Sequence, residues 1–222
     1  MPDLSAYHDL KSLADEHNAV LVAVSKRKPN EDILALYEAG HRDFGENYVQ
    51  ELVDKQAALP KDIRWHFIGS LQRNKVKYIA PFVHLIHGVD SLKLAREIDK
   101  RGQALGRIID VLLQVDVTDE TTKHGFAPAE LLTLMEGADL HRLAWMRPTG
   151  LMGMASNTAD ESRIAADFAQ LKTLYDDIAT RFYARRADWS TLSTGMSGDY
   201  PLALKHGSSM LRVGSALFGV RD

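Results

Sequence analysis

The sequence predicts an α/β fold, a single (β/α)8 TIM-type barrel with an extra N-terminal helix, spanning residues 1–222 as one domain. Three observations carry this expectation. Eight short apolar runs alternate with stretches of helical period; no Pro/Gly/Ser-rich linker or low-complexity tract divides the 222 residues; and the first run is apolar on both faces. Doubly apolar runs mark strands of parallel sheets, which are covered on both sides. Alternation of such strands with helices builds βα units. A doubly wound open sheet is the alternative, but no strand is followed by Gly-x-Gly-x-x-Gly, and no phosphate-loop NTPase signature is present.

In chain order, a helix at about 4–16 precedes the first strand, 20–25, which reads Val-Leu-Val-Ala-Val-Ser. Pro29 and Asn30 are start signals for a helix over 31–39. A strand at 41–45, a helix at 48–58 and short strands at 65–69 and 83–87 follow. Then come a helix at 91–103, a strand at 108–117, a helix at 129–137 and a strand at 143–154. The longest helix, 160–185, sets Ile164, Phe168, Leu171, Leu174, Tyr175 and Ile178 on one stripe. Strands at 191–194 and 210–214 complete eight. The third and seventh units rest on the shortest runs. The chain lies near the short end of the barrel's size range, roughly 200 to 400 residues.

Composition excludes several classes. The 27 basic and 30 acidic residues leave a net charge of −3 and form no basic stripe, so nucleic acid is not an expected partner. There are no cysteines, hence no disulfide framework, thiol nucleophile or thiolate metal site, and a reducing cytoplasm suits the chain. Residues 1–10 lack a positive segment followed by an apolar one, and no apolar run approaches the roughly 20 residues that span a bilayer. The expectation is a soluble cytoplasmic protein without a membrane partner. No unusually apolar exposed helix face stands out, which favours a monomer.

Lys26 is the most informative residue, because it closes the first apolar run. Side chains alternate along a strand, so Val20, Val22, Val24 and Lys26 share one face. If that face lines a barrel, Lys26 points into the mouth where such folds keep their sites. Burial there makes an amine reactive toward carbonyls. A surface lysine ending a strand is the competing reading, and position alone leaves both open. Lys28 has the same parity but precedes Pro29 in a polar stretch and reads as loop.

The C-terminal quarter is the second informative region. Leu192-Ser193-Thr194-Gly195-Met196-Ser197-Gly198-Asp199 and Leu211-Arg212-Val213-Gly214-Ser215-Ala216 place glycine and hydroxyl residues after the seventh and eighth strands. Loops at those positions commonly build a phosphate site, with a short following helix adding its positive end. Two plain Gly/Ser turns are the alternative. Arg212 shares parity with Met210 and Gly214, so it should point inward, where a guanidinium needs an acceptor. A carboxylate would serve, as would the pyridine nitrogen of pyridoxal 5′-phosphate. Lysine, arginine and phosphate loops thus converge on a ligand with an aldehyde, a basic ring nitrogen and a phosphate.

At this point a resemblance becomes specific. VAVSKRKP (22–29), FGENYVQE (44–51), WHFIGSLQRNK (65–75), GLMGM (150–154), LSTGMSGD (192–199) and LRVGSALFG (211–219) closely resemble the pyridoxal 5′-phosphate homeostasis protein family. Members of that family are one-domain barrels similar to the N-terminal domain of alanine racemase. The matches cover nearly the whole chain. The resemblance implies that Lys26 holds the cofactor as an internal Schiff base and that Asn47 lies close to it. It further implies that Arg212 faces the ring nitrogen, that Ser193, Gly214 and Ser215 hold the phosphate, and that Met152 lies near the ring. Thr194 stands where the family has methionine, Ser215 where it has threonine, and Ser70 where it has proline; the serine at 215 keeps the hydroxyl.

The implied function is holding or buffering pyridoxal phosphate in the homeostasis of vitamin B6 and amino acids, without robust turnover and with pyridoxal-phosphate-dependent enzymes as potential recipients. An amino-acid racemase on the same Schiff base is the alternative. It needs a second acid/base group; Tyr48 and Tyr200 are candidate substitutes, but nothing in their spacing supports either. A third reading is a class I aldolase-like barrel without cofactor. No metal site is expected: His84 and His87 point opposite ways in a strand, and Asp116, Asp119 and Glu120 read as a solvated loop. Trp65, His66 and Phe67 combine core packing with a polar contact near the barrel mouth. Arg73, Lys75 and Lys77 read as a solvated helix face.

Overall fold

Parallel strands hydrogen-bond in sequence order and close on themselves in the computed structural model, which describes residues 1–118, 124–137 and 139–219. They are β1 (Val20–Val24), β2 (Asp43–Glu46), β3 (Arg64–Phe67), β4 (Leu85–Val89), β5 (Ile109–Gln114), β6 (Met146–Met152), β7 (Thr191–Ser193) and β8 (Met210–Val213). The closing pair is β1 with β8, in the register Val20↔Met210, Leu21↔Leu211, Val22↔Arg212 and Ala23↔Val213. All eight expected strands form, including the short third and seventh, with ends displaced by at most three residues.

Helices cover the outside. They are α1 (Leu4–Glu16), α2 (Asn30–Glu38), α3 (Val49–Ala58), α4 (Val76–Ile79), α5 (Leu92–Leu105), α6 (Pro128–Glu136), α7 (Glu161–Phe182), α8 (Tyr200–Lys205) and α9 (Ser215–Phe218). Local chemistry sets several of their ends. Asp3 accepts from the Ala6 amide, Ser91 from that of Leu94, and Asp160 from those of Ser162 and Arg163. Gly106 ends α5 in the left-handed region at φ 62°. Hydrophobic period does not reveal α4 and α8, because four and six residues hold too few turns to show one. Arg73 and Lys75 lie in a 3-10 turn leading into α4. Among the described residues, no helix is long and apolar enough to cross a membrane.

Strand parity sorts the core into two parts. Phe44, Trp65, Phe67, Ile86, Leu192 and Leu211 join the large cluster with the helices. Val22, Leu85, Leu112, Met152 and Met210 form a small cluster of their own that fills part of the barrel interior. On the same inward parity, His66, His87, Ser193 and Arg212 are buried but polar. That polar half of the lumen leads to the C-terminal mouth.

Candidate functional site

The turn after β1 presents Lys26, and a buried ion pair beneath it fixes that turn. Glu46, from the Phe-Gly-Glu-Asn stretch ending β2, has no exposed surface, and Lys55 of α3 reaches it from above. The Lys55 ammonium donates to the Ser25 carbonyl at 2.8 Å, to Glu46 Oε1 at 2.8 Å and to Glu51 Oε1 at 2.7 Å. The Ser25 hydroxyl donates to Glu46 at 2.6 Å, and the Arg27 amide to Glu51 at 2.6 Å. Arg27 sits at φ 60°, a left-handed conformation that a non-glycine residue adopts at a cost. The bonds on either side of Lys26 hold the chain in it. Burial raises the Glu46 carboxyl above its usual range, more than Lys55 and Ser25 lower it. Its Oε2 finds no hydrogen-bond partner.

Across the β1–β8 seam, Arg212 is buried and reaches the site from below. Its Nη1 donates to the carbonyl and the hydroxyl of Ser193, both at 2.7 Å, and its Nη2 to the Gly153 carbonyl at 3.1 Å. Burial lowers the guanidinium to about 10, while Asp199 acts the other way. The loops after β7 and β8 meet above it, where the Gly214 amide donates to Ser197 Oγ at 3.2 Å. A Cβ at Gly214 would stand 3.3 Å from both the Cβ and the carbonyl oxygen of Val24, so a side chain there crowds the neighbouring strand. Lys28 donates to the Phe218 carbonyl at 2.9 Å, tying the β1 turn to α9.

These groups enclose a cavity of about 300 Å³ at the C-terminal mouth, at the small end of ligand sites, roughly 300–1,000 Å³. Lys26, Asn47, Arg212, Gly214 and Ser215 line it together with Val24, Ile68, Met154, Met196, Ser197 and Gly198. Five of the seven expected residues therefore meet. Asn47 is held by close backbone packing, since a side chain on Gly69 would collide with the Asn47 backbone. The Asn47 Oδ1 is buried without a hydrogen-bond partner.

Two placements differ from the expectation. Ser193 is fully buried below the cavity, and its hydroxyl is spent on Arg212 and on His87. Met152 belongs to the lumen cluster with Val22 and Met210. Both have inward parity but lie within the strands, one layer below the mouth. Ser197, Gly198 and Met154 stand farther along the chain and take the rim positions. The sequence signal for Ser197 and Gly198 was present in the Gly/Ser segment and that for Met154 in the Gly-Leu-Met-Gly-Met stretch, but parity could not say which serine clears the strand end. Tyr48 is exposed, its hydroxyl accepting from Arg27 at 3.2 Å, and Tyr200 packs against the core. Neither lines the cavity.

Sequence reasoning missed the polar lumen. His66 contacts Asp43 at 3.1 Å and His87 at 3.0 Å, deep in the barrel; the expected polar contact of His66 near the mouth is thus displaced toward the N-terminal end. His87 is shifted well below the usual histidine range, by burial first and then by the neighbouring His66 and Arg212. Burial would raise the Asp43 carboxyl, but hydrogen bonds from Arg64 and His66 hold it below its usual range. His84 groups with His66 and Asp43, whose donor atoms lie within 4.8 Å of one another. Arg64 already engages both Asp43 oxygens. Asp116 accepts from the amide and hydroxyl of Thr118; Asp119 and Glu120 lie outside the described residues.

Comparison with known proteins follows the same lines. The family model for the N-terminal domain of alanine racemase matches residues 5–222. The pyridoxal phosphate homeostasis protein of Pseudomonas aeruginosa is 40% identical over 203 residues, covering 91% of this chain and 84% of that one. That of Vibrio alginolyticus is 37% identical over 221 residues, covering 97% and 92%. The structure of PipY of Synechococcus elongatus with PLP bound superposes with a TM-score of 0.86 at 36% identity, covering 96% of this chain and 100% of that one.

Proposed function

We propose that this chain, which belongs to the pyridoxal phosphate homeostasis protein family, holds pyridoxal 5′-phosphate as a Schiff base on Lys26 and carries or buffers it in the cytoplasm. The whole chain acts as one barrel domain in this reading. The observation that carries it is the meeting of Lys26 and Arg212 on one cavity with a rim of glycine and serine.

The residues present fit the cofactor on their own chemistry. A primary amine suits an aldehyde, a buried guanidinium suits a basic ring nitrogen, and hydroxyls with nearby glycines suit a phosphate. The Oδ1 of Asn47 is buried without a hydrogen-bond partner, a polar atom that a bound ligand or water would satisfy. When bound, the cofactor supplies a carbonyl for the amine and an electron-withdrawing ring. Lys26, whose side chain lines the cavity, would hold the aldehyde carbon through its amine, with water as the leaving group. Ser197, Gly198, Gly214 and Ser215 hold the phosphate at the rim. Arg212, which lines the cavity, would face the ring nitrogen, and a guanidinium donor there would disfavour its protonation and weaken the ring as an electron sink.

Holding is favoured over turnover by the lining. Racemisation needs acid/base groups on both faces of the substrate, and the cavity lining among the described residues includes no tyrosine, histidine or carboxylate. The purified protein should be yellow, and borohydride should bleach it while fixing the cofactor on the peptide that contains Lys26. Colour and affinity that survive Lys26→Ala unchanged would refute the Schiff-base assignment. Turnover of L-amino acids at about 1 s⁻¹ or faster, followed by loss of optical rotation, would refute the carrier role.

A further inference from the structure

Arg212 ends a line of hydrogen bonds that crosses the barrel from β2 to β8. The Arg212 Nη1 lies 2.7 Å from Ser193 Oγ, and Ser193 Oγ lies 3.2 Å from His87 Nδ1. His87 Nε2 is 3.0 Å from His66 Nδ1, and His66 Nε2 is 3.1 Å from Asp43 Oδ1. Arg64 closes the line on the far side, with its Nε 2.7 Å from the same Asp43 oxygen. Asp43, His66, His87, Ser193 and Arg212 are all buried. Five of the eight strands contribute one member each.

Donor and acceptor rules give this line a direction. Arginine only donates, so Ser193 Oγ accepts from Arg212 and keeps its own proton to give. The nearest acceptor is His87 Nδ1, which must then carry the lone pair, leaving the His87 proton on Nε2. That proton goes to His66 Nδ1, and the remaining His66 proton, on Nε2, goes to the Asp43 carboxylate. Every atom is satisfied and neither imidazole carries charge. The reverse order would put protons on both nitrogens of His66, an imidazolium buried beside a second histidine, and would leave the Ser193 proton without an acceptor. Burial disfavours both features.

We infer that Asp43, His66 and His87 are positioning residues for Arg212: the Asp43 carboxylate orients both imidazoles, and these fix Ser193 as an acceptor that aims the guanidinium. The inference rests on the cofactor reading given above for its consequence, though not for the proton order. Three of the five guanidinium N–H groups are spent on Ser193 and Gly153, which leaves two for the cavity that Arg212 lines. A Ser193 hydroxyl free to rotate its proton toward Nη1 would repel the guanidinium and loosen that aim. The ring-nitrogen side of the site is thus set from the opposite end of the barrel.

The proton order is testable without cofactor. Imidazole ¹⁵N–¹H NMR of the wild-type protein at neutral pH should show His66 and His87 neutral, each with its proton on Nε2. A proton on His87 Nδ1, or an imidazolium at His66, would overturn the inference. The consequence is read on the cofactor-loaded protein. His87→Leu keeps bulk but cannot accept from Ser193. It should weaken cofactor affinity about tenfold, the size expected for a hydrogen bond feeding a charged group, and shift the absorption band. His87→Asn places an amide oxygen near the Nδ1 position and should restore most of both. If folded His87→Leu matches wild type in band and affinity, or if His87→Asn is no better than His87→Leu, the positioning role is wrong. A wild-type protein that takes up no cofactor would refute the proposed function, leaving the NMR result to decide the proton order separately.

Discussion

Removing Lys55 should destabilise the fold and release the Lys26 turn together. In Lys55→Met the apolar stem is retained and only the ammonium is lost. The partners decide the size of the effect: the side chains of Lys55 and Glu46 are 7% and 0% exposed, so this is a buried pair. Breaking a buried pair by deleting one member costs about 3–5 kcal/mol, because the other charge is left uncompensated. Glu46 would retain only the Ser25 hydroxyl, its Oε2 being unpartnered already. For a chain of this size each kcal/mol is worth about 2–4 °C in Tm, so the loss should be about 6–20 °C by calorimetry. Adding Glu46→Gln should recover more than half of it, since no buried charge then remains. The pH dependence has a definite sign. Glu46 is raised in the fold above the ordinary 4.5, and losing Lys55 raises it further. Between 4.5 and the raised value the native state binds more protons than the unfolded one, so stability falls as pH rises. The deficit of Lys55→Met should therefore shrink on acidification. A loss under about 1 kcal/mol, the size of a surface pair, or a double variant no more stable than the single, would refute the reasoning.

Burial lowers His41 to about 4, from an ordinary 6.5, although its bond to the Asp43 carbonyl opposes the shift. The unfolded chain binds the proton first, so stability should fall by up to about 3 kcal/mol as pH drops from 6.5 to 4. Urea titrations should show this slope flattened in His41→Gln; an unchanged slope would assign it to other groups. At the rim, Gly214→Val adds carbons against Val24 and crowds the amide that reaches Ser197. It should weaken cofactor binding by at least about tenfold, roughly 1.4 kcal/mol, and abolish competition by inorganic phosphate. Undiminished competition by phosphate would place the phosphate elsewhere.

The barrel was legible because each strand carries its own evidence. Val20–Val24 is a short run apolar on both faces, and α7 keeps one stripe from Ile164 to Ile178, so local pattern identifies them. The inward direction of Arg212 followed from parity with Met210, which the lumen cluster bears out. What parity could not supply is depth. Ser193 and Ser197 lie four residues apart in one Gly/Ser segment, yet one is sealed under Arg212 and the other lines the rim. The difference is set by where β7 ends, at Ser193. Nor could a sequence join Asp43, His66, His87 and Ser193, because their adjacency comes from closure of the sheet. Read singly, each is a polar residue in an apolar strand; the one local hint was that such residues recur at inward positions on successive strands.

The two ends of the site are held by different physics, and the difference bears on function. Lys26 stands on a turn clamped by charge: the ammonium of Lys55 gathers Ser25, Glu46 and Glu51, and the Arg27 amide locks onto Glu51. Arg212 stands on a strand and is held by neutral acceptors, with no carboxylate bonded to it among the described residues. A guanidinium with a bonded carboxylate would be partly neutralised before any ligand arrived. One held by carbonyls and a hydroxyl keeps its full charge for the cavity, at the cost of burial that already lowers it to about 10. On the proposed reading, that charge opposes protonation of the ring nitrogen. A ring so disarmed is firmly bound and poorly activated, which is the combination a carrier requires and a racemase has to overcome by other groups.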